Sequence, residues 1–314
     1  MFEVVTKATR DSFGEAVTEL AAQNPNIVVL DADLAEATKT ITFKNKYPER
    51  FFDCGIAEAN MIGIAAGLAA CGKIPFAASF AMFSAGRAFE QVRNSVAYPH
   101  LNVKVIGSHA GISVGEDGAT HQCCEDIALM RSIPGMVILN PADHYEMVAA
   151  IKAAAEYVGP VYIRLGRLAV DSVNNNKDYK FEIGKGITLR DGKDITVVAT
   201  GLMVGEAVKA VKSLEAQGID ARLIDIHTIK PLDRELILKA AKETGRIVTV
   251  EEHNVIGGLG EAVSSLLSEE CPTPVTKIGV NDCFGHSGPA LDLLKQFGLS
   301  AENIEATVKS VLGK

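Results

Sequence analysis

"NVKVIGSHAGISVGEDGATHQCCEDI", residues 102–127, sets a short branched apolar run directly before a polar stretch with two histidines, several acids, glycines and a cysteine pair. Such a run reads as a buried strand that ends at a loop, and in open α/β sheets ligands sit beyond the carboxyl ends of the strands. The same rhythm extends outward through "NIVVLDA" (26–32), "IPFAASF" (74–80), "GMVILNP" (135–141) and "PVYIRLG" (160–166), with helical patterns between them. This alternation predicts a parallel sheet with helices on both faces. It stops at the polar, Asn- and Gly-containing "RLAVDSVNNNKDYKFEIGKGITLRDGKD" (167–194) and resumes in "ITVVATG", "DARLIDI", "GRIVTVEE" and "PVTKIGV". The expected fold is therefore α/β with two domains, each a mainly parallel sheet flanked by helices: residues 1–166, a linker at 167–193, and residues 194–314.

Composition narrows the function classes. A chain of 314 residues with 47% hydrophobic content can bury substantial cores. A net charge of -8 with no basic patch argues against nucleic acid, and no apolar run is long enough to span a bilayer, so a cytoplasmic protein is expected. Cys54, Cys71, Cys123, Cys124, Cys271 and Cys283 form no CxxC pair, which fits reduced thiols that mostly act as small packing residues.

Positions at and just past the strand ends supply the first site candidates: Asp31 and Asp33, Phe80 and Phe83, His109, and Arg164. Acids and histidines of this kind would also suit a metal. The spacing of His109, Asp117, His121, Cys123 and Cys124, however, matches neither paired CxxC/HxxxH ligands nor an HExxH helix. A phosphate loop is equally unsupported, because GxxxxGK[ST] is absent and "GGLGEA" (257–262) is only a partial glycine motif. A second informative segment is "CGIAEANMIGIAAGLAACG" (54–72), small or apolar nearly all round, which predicts a helix buried on most sides and lying in an interface. Glu58 opens it, where a carboxyl group is either a cap on the helix dipole or a desolvated acid.

"GIAEAN" (55–60), "SFAMFSAGRAFEQVRN" (79–94) and "SHAGISVGEDGATHQCCEDIALMRSIPGMVILNPAD" (108–143) together resemble the pyrimidine-binding domain of transketolases. From "TVVATGLMVGEAVKAV" (196–211) onward the chain is similar to the transketolase C-terminal domain, so the resemblance covers essentially all of it. That family binds magnesium, or a similar divalent ion, and the cofactor diphosphate through a GDG motif, which this sequence lacks. The resemblance thus implies a split transketolase: an N-terminal partner subunit would carry the GDG motif, the metal and the diphosphate half of thiamine diphosphate. Self-association into a heterotetramer is the expected assembly.

The resemblance also assigns roles. Glu58 matches the residue that hydrogen-bonds N1′ of the cofactor's aminopyrimidine, a task suited by a desolvated carboxylic acid. Phe83 matches the ring that stacks on the pyrimidine, with Phe80 beside it; Asp33 matches an acid near the cofactor, with a turn or cap as its other reading. His109 and Asp117 would line the sugar channel, and His121 would lie close to the reacting carbons. Arg10 and Arg164 match arginines that bind the sugar phosphate, the former being otherwise a surface residue at a helix start. A phosphate-binding serine of the family is replaced near Ala37. The implied reaction moves a two-carbon ketol unit from a ketose phosphate to an aldose phosphate. A 2-oxo acid dehydrogenase β subunit, a deoxyxylulose-phosphate-synthase-like subunit and a noncatalytic assembly subunit are the alternatives.

Overall fold

A computed structural model describes residues 3–173 and 180–314. Its strands are β1 (Thr6–Ala8), β2 (Ile27–Asp31), β3 (Phe51–Asp53), β4 (Ile74–Phe80), β5 (Lys104–Ser108), β6 (Val137–Leu139) and β7 (Val161–Arg164). They continue as β8 (Ala169–Asp171), β9 (Ile187–Arg190), β10 (Ile195–Ala199), β11 (Ala221–Asp225), β12 (Thr228–Lys230), β13 (Ile247–Asn254) and β14 (Val275–Val280). A seven-stranded sheet runs β12-β6-β7-β5-β4-β2-β3, and a five-stranded sheet runs β14-β13-β10-β11-β9. Within these two sheets the outermost β12 and β9 are antiparallel to their neighbours, and β1 pairs antiparallel with β8 in a separate two-stranded sheet.

The period-two alternation of strands explains why helices cover both faces. On one face of the larger sheet, Val29, Phe76, Ile106 and Ile163 pack against Phe13 and Val17 of helix Thr9–Gln23 and Met147 and Ile151 of helix His144–Glu156. Their sequence neighbours Val28, Leu30, Ala77, Val105 and Tyr162 face the other way, onto Met61 and Ile62 of helix Glu58–Ala70 and Ile127 and Met130 of helix Asp126–Arg131. The smaller sheet repeats the arrangement. Val197 and Leu223 meet helix Met203–Ala216, while Val198 and Ile224 meet Ile237 of helix Arg234–Thr244. Each fully buried Phe, Ile or Leu contributes about 1.5–3 kcal/mol.

Three features depart from simple expectation. First, the stretch 167–193 carries strands: β8 pairs with β1 and β9 edges the smaller sheet, while residues 174–179 of that expected linker lie outside the described residues. Second, β12 leaves the smaller sheet's part of the chain and pairs with β6, extending the larger sheet. Third, helix Glu58–Ala70 is not buried on most sides within this chain. Glu58, Met61, Ile62, Ala65 and Ala66 are buried, but Asn60, Gly63, Ile64 and Gly67 are exposed, because among the described residues no other element packs on that face. A Cβ added at Gly63 or Gly67 would meet nothing within 4 Å.

Candidate functional site

The carboxyl ends of β2, β4 and β5 lie side by side in the larger sheet, so the loops that leave them share one crevice. Phe80, the last residue of β4, stacks on His109, which follows β5, with ring centroids 4.0 Å apart. Phe83 continues the stack at 6.1 Å from Phe80, and the His121 ring stands edge-on to Phe83 at 5.4 Å. Four of the sequence candidates are thus brought together by two strand ends and one loop.

Charge around His109 is lopsided. The residue is 3% exposed, and its Nε2 lies 2.9 Å from Arg10 Nη1 while Nδ1 lies 2.9 Å from Ser108 Oγ. A guanidinium can only donate, so Nε2 accepts and the ring is neutral with its proton on Nδ1. Burial, then Arg10, Arg167, Lys39 and His121, push its pKa down to about 3. Backbone conformation adds to the picture: Asp33, Lys39 and His109 all have positive φ, a strained state that clusters at functional sites. Arg10 donates to Ala37 O at 3.1 Å, and its buried Nε has no partner. An anion placed here would meet cations and N–H groups with unused capacity.

Beside this lies a buried acid. Glu58 is 1% exposed and its carboxylate accepts from Ser79 Oγ at 3.3 Å and from Arg87 Nη1 at 2.8 Å. The Arg87 guanidinium also lies over the Phe83 ring, 4.4 Å from its centroid. A planar, N–H-bearing group therefore already spans Phe83 and Glu58, which is the demand an aminopyrimidine would make of the same two residues. The half-exposed Arg87 side chain has solvent to move into. Asp33 is exposed, and its amide donates to Asp53 Oδ1 at 3.2 Å. The buried member of that strand end is Asp31, which takes Leu34 N, Thr38 Oγ1 and Thr40 Oγ1 and so shapes the loop under Arg10; burial raises its pKa to about 6. Asp117 is exposed on the loop between His109 and His121.

Arg164 needs correction. It is 4% exposed, with Nε 2.8 Å from Asp126 Oδ2 and Nη2 2.8 Å from Glu252 O, so it ties the two halves of the molecule and is not presented to the crevice. Tyr162, on the same strand face, donates to the same Asp126 oxygen. The arginine that does reach the crevice is Arg167, beyond Gly166, which bonds Val114 O and Glu116 Oε2 and acts on both Arg10 and His109. The signal that could have found it is the strand-end rule itself, since Arg164 still belongs to β7 whereas Arg167 follows it. Cys123 and Cys124 are buried thiols whose pKa values burial raises, and among the described residues no group of three or more His, Cys, Asp or Glu could hold a metal ion.

Comparison with known proteins gives two family matches: transketolase, pyrimidine binding domain, over residues 5–172, and transketolase, C-terminal domain, over residues 184–304. A Methanocaldococcus jannaschii protein with the provisional name transketolase C-terminal section is 50% identical over 99% of this chain and 98% of its own length. A 6-deoxy-6-sulfo-D-fructose transketolase subunit of Clostridium sp. is 46% identical over 94% of this chain and 91% of its own length. A solved split-gene transketolase, described as an inactive β4 tetramer, is 54% identical, with a TM-score of 0.91 over 98% of this chain and 99% of that one.

Proposed function

The chain belongs to the transketolase family, and from that premise we propose that it is the carboxyl-terminal subunit of a split transketolase that uses thiamine diphosphate. A partner chain with the GDG motif would hold the diphosphate and its divalent ion. The observation that carries this reading is the meeting, at one sheet end, of a buried carboxyl group, an aromatic platform and a neutral histidine ringed by cations.

Thiamine diphosphate, when bound, supplies a carbon nucleophile able to break and form bonds beside a carbonyl. Glu58 would take the pyrimidine N1′ in place of Arg87, donating its carboxyl proton there, and Phe83 with Phe80 would carry the ring. Asp33 would stand at the cofactor's edge. On the sugar, Arg10 and Arg167 would hold the terminal anion; two guanidinium groups suit a tetrahedral oxyanion. The relative named for a sulfo sugar fits this reading, since sulfonate and phosphate present similar oxygens. His109 and Asp117 would hydrogen-bond sugar hydroxyls, and His121, edge-on to Phe83, would face the reacting carbons. The open face of helix Glu58–Ala70 would meet another chain, and the tetramer described for the solved split-gene relative supports self-association.

The test is reconstitution. Purified alone, the chain should show no ketol transfer from a ketose phosphate to an aldose phosphate with thiamine diphosphate and Mg2+; mixed with its partner, it should turn over. Full activity from the lone chain would sink the split-site reading. In the reconstituted enzyme Glu58→Ala should lower kcat by about 10²–10⁴-fold, the usual range for a proton-transfer group. Turnover of 2-oxo acids with a lipoyl acceptor would instead favour the dehydrogenase alternative.

A further inference from the structure

None of the residues gathered around His109 comes from the second domain, yet that domain grips the loop 109–122 at both ends. At the entry, Glu252 of β13 is 3% exposed and its Oε1 accepts Ser113 N at 2.6 Å. The loop lies flush on this carboxylate: Gly111 has φ +82°, and a Cβ there would come within 2.3 Å of Glu252 Oε1. The Glu252 main chain is itself held, its carbonyl accepting from Arg164, which also binds Asp126 at the base of the same loop. At the exit, Gln122 Nε2 donates to His286 O at 3.0 Å and to Ile112 O at 3.1 Å. Gly118, also at positive φ, lies so close to Ser287 that a Cβ would come within 2.5 Å of its Oγ.

By contrast, among the described residues the side chain of His121 has only a local hydroxyl, Thr120 Oγ1, as a hydrogen-bond partner. Its place over Phe83 is therefore set by the backbone of the loop. That backbone has short ties of its own, Gly111 N to Cys123 O at 2.8 Å and His121 N to Gly118 O at 3.0 Å among them, and the second domain adds Glu252 and His286 O as fixed points from outside the loop.

We propose that Glu252 is a positioning residue for the substrate loop: by accepting Ser113 N it moulds the segment from Gly111 onto the second domain and so sets where Asp117 and His121 stand. The second domain is a template for sugar recognition. The loop part of this inference stands on contacts within the chain; the sugar part rests on the transketolase reading.

Hydrogen–deuterium exchange on the purified chain tests the first part. Glu252→Leu, which keeps volume but removes the acceptor, should speed exchange of amides in 111–122 by about tenfold or more while amides of β2 and β4 stay unchanged. Glu252→Gln, which keeps an acceptor oxygen, should stay within about threefold of the parent. Unchanged loop exchange in the leucine variant, equal acceleration in both variants, or acceleration throughout the chain would each overturn the proposal. If the leucine variant does not fold, Gln122→Ala should speed exchange in 118–122 alone, and no effect there overturns it. In the reconstituted enzyme, Glu252→Leu should lower kcat/KM for the ketose phosphate about tenfold or more, and Glu252→Gln should restore it. Unchanged kcat/KM in the leucine variant, or a loss that glutamine does not restore, would overturn the sugar part. Loop loosening as expected, in a protein that shows no ketol transfer in any assembly, would refute the transketolase reading and leave the positioning role standing.

Discussion

Arg164 and Arg167 leave the same strand and do opposite work. Arg164 lies in a buried joint, its charge matched by Asp126 and its N–H groups taken by Asp126 and by the carbonyls of Cys123 and Glu252. Arg167 is over a third exposed, shares its neighbourhood with Arg10 and the neutral His109, and among the described residues has only the exposed Glu116 as counter-charge. An arginine marks a ligand site when its hydrogen-bonding capacity is left open, not when it merely ends a strand.

The comparison can be broken most directly at Arg164. Arg164→Met leaves the buried Asp126 without its cationic partner, with Tyr162 as its remaining donor, and should cost about 3–5 kcal/mol, read as a lowered denaturant midpoint. Arg167→Met should stay within about 0.5 kcal/mol of the parent, as surface changes do, yet lower kcat/KM of the reconstituted enzyme. The reverse pattern, a stable Arg164 variant with weak sugar binding, would return Arg164 to the site. Next in size is Arg10→Ala: losing a charge-assisted hydrogen bond worth about 1.5–3 kcal/mol should lower kcat/KM about 10–100-fold for phosphorylated ketoses, and far less for the same sugars without phosphate. The smallest effect concerns pH. His109 has a folded pKa near 3, below its ordinary 6.5, so the unfolded chain takes up a proton that the folded one refuses. Stability should therefore decline as pH falls from 6.5 toward 3, and His109→Gln should soften that decline in acid titration of unfolding. It should not abolish it, because burial also lowers His227 and His253 to about 4. An equally steep decline in the variant would mean that His109 is not held neutral by burial and its cationic neighbours.

Much of the fold was legible because each strand writes its two faces into adjacent residues, as Phe76 and Ala77 or Ile106 and Val105 do. Phe80, Phe83 and His109 could be singled out because they sit at or just past strand ends, whereas His121 was reached through the transketolase resemblance. What escaped were relations across the chain. Nothing near "GISV" signals that Ser113 will meet Glu252 from a distant strand, and "TIK" is too short to announce that β12 will join the other sheet. The Arg164 assignment failed because a strand position reveals direction but not which partners wait there. Helix Glu58–Ala70 was read from its apolar composition, which does not distinguish burial within a chain from a face left open.

The pairing of β12 with β6 has a consequence for the order of biosynthesis. During translation every other strand of the larger sheet emerges before the second domain begins, but the outer edge of β6 must wait for Thr228–Lys230. Until then the nascent first half presents an unpaired strand edge, the kind of surface on which chains pair wrongly with one another. A ribosome-bound intermediate halted before residue 228 should therefore depend on chaperones, and a gene cut between the two domains should yield an N-terminal fragment that aggregates through β6. The final stitch of the first domain is made by the second.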